Sequence, residues 1–366
     1  ELSLSDRRDC LWYALSGWRA QTDAEVCPVR RESFRKAGFL LSMFWLLLCI
    51  FPLWWVLVTA FKPPLAVSGG ATYLPFWDFQ PSLHAFRDAF SGIRGDFWGP
   101  ISSSIFISIV STGLAVLLGS MAAYALIRFK FSIHLLAGLL FAVLAIGGFV
   151  VMTEMWNIRV PYALLVVLFV ALPVSVWANG RNLPGPVLGN DDVTFWFVSQ
   201  RMFPPIVSAF ALFLLYAETG KAGFRLLDTF GGMVLAYTAF GLPFAVWLMR
   251  DFFESVPVEV EEAAMVDDIG RMRIFAQIVL PMSLPGLIAT SMVVLAFIWN
   301  EFLFALLLTS SRWQTLPILL AGQNSSRGDE WWAISVATLI SIIPMILVAT
   351  FLGRMMRSGM LSGSIK

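Results

Sequence analysis

Eight stretches of predominantly apolar residues recur along the chain, at 39–60, 101–127, 133–153, 158–178, 194–217, 228–250, 285–308 and 333–353. A helix rises ~1.5 Å per residue, so about 20 apolar residues cross a hydrocarbon core of ~30 Å. The pattern predicts about eight transmembrane helices. The third and fourth are separated by only a few residues around Trp156-Asn157, which predicts a tight helical hairpin. Polar positions gather in the first 38 residues, in the stretch 61–100 and in the amphipathic segment 251–284.

Composition fixes the class. The chain is 58% hydrophobic and 13% charged, with a mean hydropathy of +0.77. These values predict an all-α, polytopic membrane helical bundle rather than a soluble enzyme. A net charge of +1 argues against a nucleic-acid partner. Cys10, Cys27 and Cys49 have no metal-ligand spacing, and His84 and His134 are isolated, so no metal site is expected. Residues 1–38 carry seven Lys/Arg and no small-residue cleavage site, which reads as a retained cytoplasmic tail. With that tail inside, the inner segments and inner span ends carry 16 of the 25 Lys/Arg and the outer ones 8, with Arg201 inside a span. The positive-inside rule is satisfied, and it puts 251–284 and the tail 354–366 in the cytoplasm.

That cytoplasmic segment is the most informative part of the chain. Pro257 suits a first helical turn, where a missing N–H costs nothing. Glu259, Glu261 and Glu262 put negative charge near the positive end of the helix dipole. Val256, Val260, Ala263 and Ala264 then form a small, weakly apolar face that allows close approach of a partner. The helix is expected to break near Asp267–Gly270, resume through Ile274 and Ile278, and stop before Pro281.

The run Glu262-Ala263-Ala264, followed at fixed spacing by Ile278-Val279-Leu280-Pro281, resembles the EAA loop of bacterial ABC-importer permeases. Asp268 stands where that family has glycine, and Gly270 lies two residues on. Aspartate visits the left-handed region more readily than most residues, so the turn is expected to survive. Trp299-Asn300-Glu301-Phe302, Thr315-Leu316-Pro317, Ala122-Ala123-Tyr124-Ala125-Leu126 and the tail Gly359–Lys366 are similar to the carbohydrate-uptake branch, which includes the smaller membrane subunit of the maltose importer. The resemblance implies a six-helix permease core, formed by 39–130 and 194–353, with 131–193 inserted as a two-helix hairpin. Two extra spans keep every later loop on its side of the membrane.

The resemblance further implies an inner-membrane, multi-pass subunit with both termini cytoplasmic. Its partners would be a second homologous permease, two ATPase subunits (a homodimer or heterodimer), an external solute-binding protein and membrane lipid. Glu261, Glu262, Ala263, Ala264, Asp267, Asp268, Gly270, Leu280 and Pro281 would form the surface that takes up the ATPase's push. The chain has no phosphate-binding loop of the form G-x-x-x-x-G-K-[ST]. ATP and Mg would therefore sit on the partner, and no cofactor on this chain.

Candidate pathway residues are less sharply defined. Asn300 and Glu301 lie some 15 residues into the seventh apolar stretch, where an ionised carboxylate needs water or a partner. They either line the solute path or sit near enough to the outer surface to be solvated. Ser104 and Ser108, with Ser111 and Thr112 at helical spacing, form either a wall of that path or a helix-packing face. Pro204-Pro205 either hinges or merely curves its helix, and Arg201 is expected to snorkel to the inner face. Trp54, Trp55, Trp77, Trp98, Trp331 and Trp332 suit membrane-interface anchors. An ion-coupled carrier would call for inverted repeats, and a membrane enzyme using Glu154, Arg159 and Glu301 would need catalytic spacing; the sequence offers neither.

Overall fold

The computed structural model describes residues 28–69, 72–91, 97–181, 184–325, 328–329 and 331–357. The N-terminal tail up to residue 27, the stretch 358–366 and the Arg201 side chain lie outside the described residues. The chain divides into two compact units, one ending at Ser82 and one beginning at Leu83.

The first unit is built on helix α1 (Pro28–Ala60). Its part from Lys36 to Ala60 is long and apolar enough to span a membrane. The large apolar side chains from Phe39 to Phe51 are exposed on all sides of it. Such a helix is stable only in lipid or against further protein. Beyond it comes the short helix α2 (Pro64–Ser68), and the Tyr73 ring lies tilted against Trp55 with centroids 5.4 Å apart. The Asp78 carboxylate accepts the amides of Tyr73 and Leu74 at 2.8 and 3.0 Å and closes the turn that follows.

The second unit begins with α3 (His84–Phe90), and its centre is the pair α4 (Trp98–Arg128) and α9 (Phe230–Glu254). Between these two helices come α5 (Leu135–Val150), α6 (Val160–Asn179), α7 (Asn190–Ser199) and α8 (Pro205–Lys221). After α9 follow α10 (Val258–Val266), α11 (Arg271–Met282), α12 (Leu284–Trp299), α13 (Leu303–Leu308), α14 (Leu316–Gly322) and α15 (Trp331–Arg357). The core of Ile107, Ala115, Val116, Met233, Ala236, Tyr237, Ala245, Val294 and Ile298 joins α4, α9 and α12. Small residues let these helices approach closely. A β-carbon placed on Gly119 would lie 2.5 Å from that of Ala245.

Six of the eight expected spans are continuous, and two are broken. The stretch 194–217 is not one helix: α7 ends at Ser199, a short 3-10 turn follows, and Phe203 is extended before Pro204. Neither proline has an N–H to donate, and the residue before a proline avoids the helical region, so α8 starts afresh at Pro205. The stretch 285–308 stops at Trp299 and restarts at Leu303. The expected hairpin is present. Its helices α5 and α6 are joined by a widened turn at Val151–Met155, and its base is closed by the antiparallel pairs Ile133↔Leu188 and His134↔Val187.

Candidate coupling site

α10 and α11 form an elbow at the end of the core where α4 and α9 finish. Pro257 stands at the cap just ahead of the first turn of α10. The helix ends in a Schellman closure, with the Asp268 amide bonded to the Met265 carbonyl at 3.1 Å and the Ile269 amide to the Ala264 carbonyl at 3.2 Å. This closure requires a left-handed residue, and Asp268 supplies it with φ +58°. The turn expected at this position thus forms with a side chain in place. Gly270 does not replace it, because its φ of −64° is open to any residue. Restoring glycine at 268 should raise stability by a few tenths of a kcal/mol to ~1 kcal/mol, since a non-glycine residue pays a steric cost there. Asp268→Val should lower it by more. Thermal unfolding of the two purified variants in detergent checks both.

α11 runs past Pro281 to Met282, beyond the expected stop. A π turn at Phe275–Val279 widens the helix just ahead of the proline, whose ring would clash with a regular turn. The chain then bends by 81° into α12. If α12 crosses the bilayer, α11 lies close to the membrane plane.

The nine sequence-assigned coupling residues divide by exposure. Glu262, Ala263, Asp267, Asp268, Gly270 and Pro281 are exposed, and Val266 beside them is 86% exposed. Glu261 and Ala264 are buried, at 2% and 6%, and Leu280 packs inward. Ala264, expected to face a partner, is instead buried in the apolar cluster that includes Tyr124, Phe253 and Phe275. A single residue step separates outward from inward positions here, as at Ala263 and Ala264, and the apolar cluster takes Ala264.

Glu261 has bonding partners within the chain. Its Oε1 accepts from Arg128 Nε at 2.6 Å, and its Oε2 accepts from the Tyr124 hydroxyl at 2.8 Å. Arg128 Nη2 also donates to the carbonyls of Phe253 and Val256, at 3.3 and 2.9 Å. The Arg271 guanidinium stacks 5.1 Å from the Phe129 ring. Sequence reasoning missed Arg128 and Tyr124 as site residues. Their signal was a lone charge closing a long apolar helix, one helical repeat after a tyrosine.

The hairpin's return also reaches this end of α4. The Asn190 side chain accepts the Phe131 amide at 2.9 Å and donates to the carbonyls of Leu126 and Phe129, and Asp191 pairs with Arg250 at 2.7 Å.

At the other end of α12 the candidate pathway residues have hydrogen-bond partners within the chain. The Glu301 carboxylate, on a residue 8% exposed, accepts the amides of Leu303 at 2.9 Å and Phe304 at 3.1 Å. It caps α13, and the Tyr237 hydroxyl donates to its carbonyl at 3.2 Å. Asn300 is exposed at the end of α12, with its amide on the Ala296 carbonyl at 2.8 Å. Ser104 and Ser108 are buried. The Ser104 hydroxyl accepts the Leu316 amide at 2.7 Å, and Ser108 donates to the Ser104 carbonyl. These serines are engaged in packing within the chain.

Asp228, which the sequence did not single out, orders the loop after α13. Its carboxylate accepts the amides of Ser311, Arg312 and Trp313 and the hydroxyls of Ser310 and Ser311, at 3.1–3.2 Å. Partial burial pushes this carboxyl up, but the donors outweigh it and hold the pKa well below the ordinary carboxylate value. A depressed folded pKa stabilises the protein above the unfolded value of about 4 and ceases to as pH falls through the folded one. Lowering pH below about 4 should therefore loosen the 309–315 loop in the wild type more than in Asp228→Asn. Limited proteolysis with an acid-active protease, from about pH 6 down to about pH 2, reads this directly.

Comparison with known proteins gives a consistent result. Residues 171–361 match the family of binding-protein-dependent transport system inner membrane components. The chain is 28% identical over 328 residues to a probable ABC transporter permease of Sinorhizobium fredii, covering 89% of this chain and 94% of that protein. It is 26% identical over 322 residues to the trehalose/maltose transport system permease of Thermococcus litoralis, covering 87% and 92%. Among solved structures, a chain of a bacterial ABC transporter involved in the import of the acidic polysaccharide alginate aligns with a TM-score of 0.57 at 17% identity, over 89% of this chain and 97% of that one.

Proposed function

Because the chain belongs to the family of binding-protein-dependent transport system inner membrane components, we propose that it is the permease subunit of an ATP-driven importer for a sugar, polyol or related hydroxylated solute. It is a multi-pass membrane subunit, and the family works as a complex with an ATPase. The relatives named for trehalose and maltose support the solute class. The observation that carries the coupling role is the exposed strip Glu262-Ala263-Val266-Asp267 on a helix whose opposite side is anchored in the core.

In this reading a second permease completes the solute path, two ATPase subunits bind ATP and Mg, and an external binding protein delivers solute. Both termini and the elbow are cytoplasmic. Closure of the ATPases pushes on α10, and the rigid α4–α9 pair carries that movement into the membrane, so the cavity opens alternately to each side. The hairpin 131–193 is an addition at the periphery; its outward face is lined by Leu165, Phe169, Val176 and Trp177, which suit lipid. Ala264, Ser104, Ser108 and Glu301 position these parts rather than touch solute or ATPase.

A cysteine at Ala263 tests the docking face. Disulfide or bis-maleimide cross-linking to the co-expressed ATPase should be efficient from position 263 and absent from exposed Leu235 on α9. Equal yields from both positions would remove the assignment.

A further inference from the structure

We propose that Tyr124 and Arg128 are the positioning residues through which α10 moves the second transmembrane span, with the Glu261 carboxylate as their common target. The proposal rests on the coupling reading above and adds the element that transmits the load.

Three observations carry it. Tyr124 and Arg128 lie four residues apart on α4, so both side chains emerge from the same side of the helix. Each takes a different oxygen of one carboxylate, at 2.8 and 2.6 Å. Two directional bonds to one planar group fix its rotation as well as its distance, which a smooth apolar contact cannot do. Arg128 also binds the last carbonyls around the end of α9. One guanidinium thus ties together the inner ends of two spans and the helix presented to the partner.

The ion pair is nearly dry, with the two side chains 10% and 3% exposed. A buried pair is a poor source of net stability, since desolvating both ions offsets their attraction. Apolar packing would hold these helices as well, and Ala264, Phe253 and Phe275 already supply it next door. What the pair adds is a fixed register between α10 and α4. An isolated loop helix of nine residues is marginal by itself and would otherwise slide on its apolar bed.

The test uses the full complex in proteoliposomes: both permeases, the ATPase subunits and the binding protein, with a radiolabelled sugar accepted by that binding protein. The reading is solute imported per ATP hydrolysed, normalised to assembled complex. Two variants are compared with wild type. Tyr124→Phe keeps the ring contacts to Phe253 and Phe275 and loses only the hydroxyl. The double variant Arg128→Met/Glu261→Leu exchanges the pair for apolar side chains of similar length, a change that buried pairs tolerate in assembly.

The double variant should import about tenfold less per ATP, within the ~5–150-fold range usual for coupling between sites, while binding-protein-stimulated ATPase activity persists. Tyr124→Phe should show a smaller loss in the same ratio. A purely structural cluster would change the amount of complex and leave the ratio alone. An unchanged ratio in both variants overturns the proposal. If the double variant does not assemble, Tyr124→Phe decides by itself. Absence of any ATP-dependent import by the wild-type complex would instead overturn the functional reading, and the two failures are distinguishable.

Discussion

Glu301→Leu should reduce the amount of folded protein in the membrane, and uptake and ATPase stimulation should fall with it. The carboxylate is the acceptor for the amides that open α13, on a residue only 8% exposed. Leucine leaves them without an acceptor in surroundings that exclude water, at ~1–3 kcal/mol for each amide left unpaired. Loss of a helix cap alone costs ~0.5–2 kcal/mol. Glu301→Gln keeps one carbonyl oxygen and should lose less than half as much. Fluorescence-detected size exclusion after graded heating measures assembly, and uptake is then expressed per assembled complex. A pathway residue would behave otherwise, with uptake down, assembly normal and ATPase stimulation kept. That pattern in Glu301→Gln would refute the capping role.

The second large effect separates two neighbouring alanines. Ala263→Trp puts a bulky ring on the exposed face of α10 and should leave the permease folded, at close to wild-type levels in the membrane. ATP-dependent uptake should nevertheless fall at least ~10-fold, since docking surfaces tolerate bulk poorly at their close-packed centre. Ala264→Trp has no space, because Ala264 is 6% exposed and belongs to the buried cluster of Tyr124 and Phe275. Overpacking a tight site costs ~1–3 kcal/mol or more, so here the protein level should drop first. Co-purification of the ATPase with each variant, scaled to permease present, checks the pair. Equal behaviour of the two alanines would mean that the exposed strip is not the docking face.

Much of this architecture is legible in the sequence because bilayer physics is permissive about detail and strict about length. Twenty apolar residues read as a span whichever way the helix later packs, and the hairpin around Trp156-Asn157 follows from the same rule. The two breaks were harder to read. Pro204-Pro205 announced one, yet only the extended Phe203 shows that the helix stops instead of bending. The break at Asn300 carries no proline or glycine; Glu301 makes it by capturing the amides two and three residues ahead.

The elbow of α10 and α11 was legible in its break and restart, down to the left-handed turn at Asp268. Its facing was not. The small face Val256, Val260, Ala263 and Ala264 mixed two buried and two exposed positions, because periodicity gives the angle of a stripe and not which neighbour it meets. Arg128 and Asp228 were missed for a common reason: each acts through partners 82 to 133 residues away in the chain.

The central claim is that this chain converts ATP-driven movement at α10 into solute passage. Its most direct test is uptake by the reconstituted complex, with ATP inside the vesicles and sugar-loaded binding protein outside. The account predicts import that requires both ATP and the binding protein, survives collapse of proton and sodium gradients, and is abolished by Ala263→Trp in a complex that still contains normal amounts of permease. Import that runs without ATP and stops when the ion gradients are dissipated would contradict it.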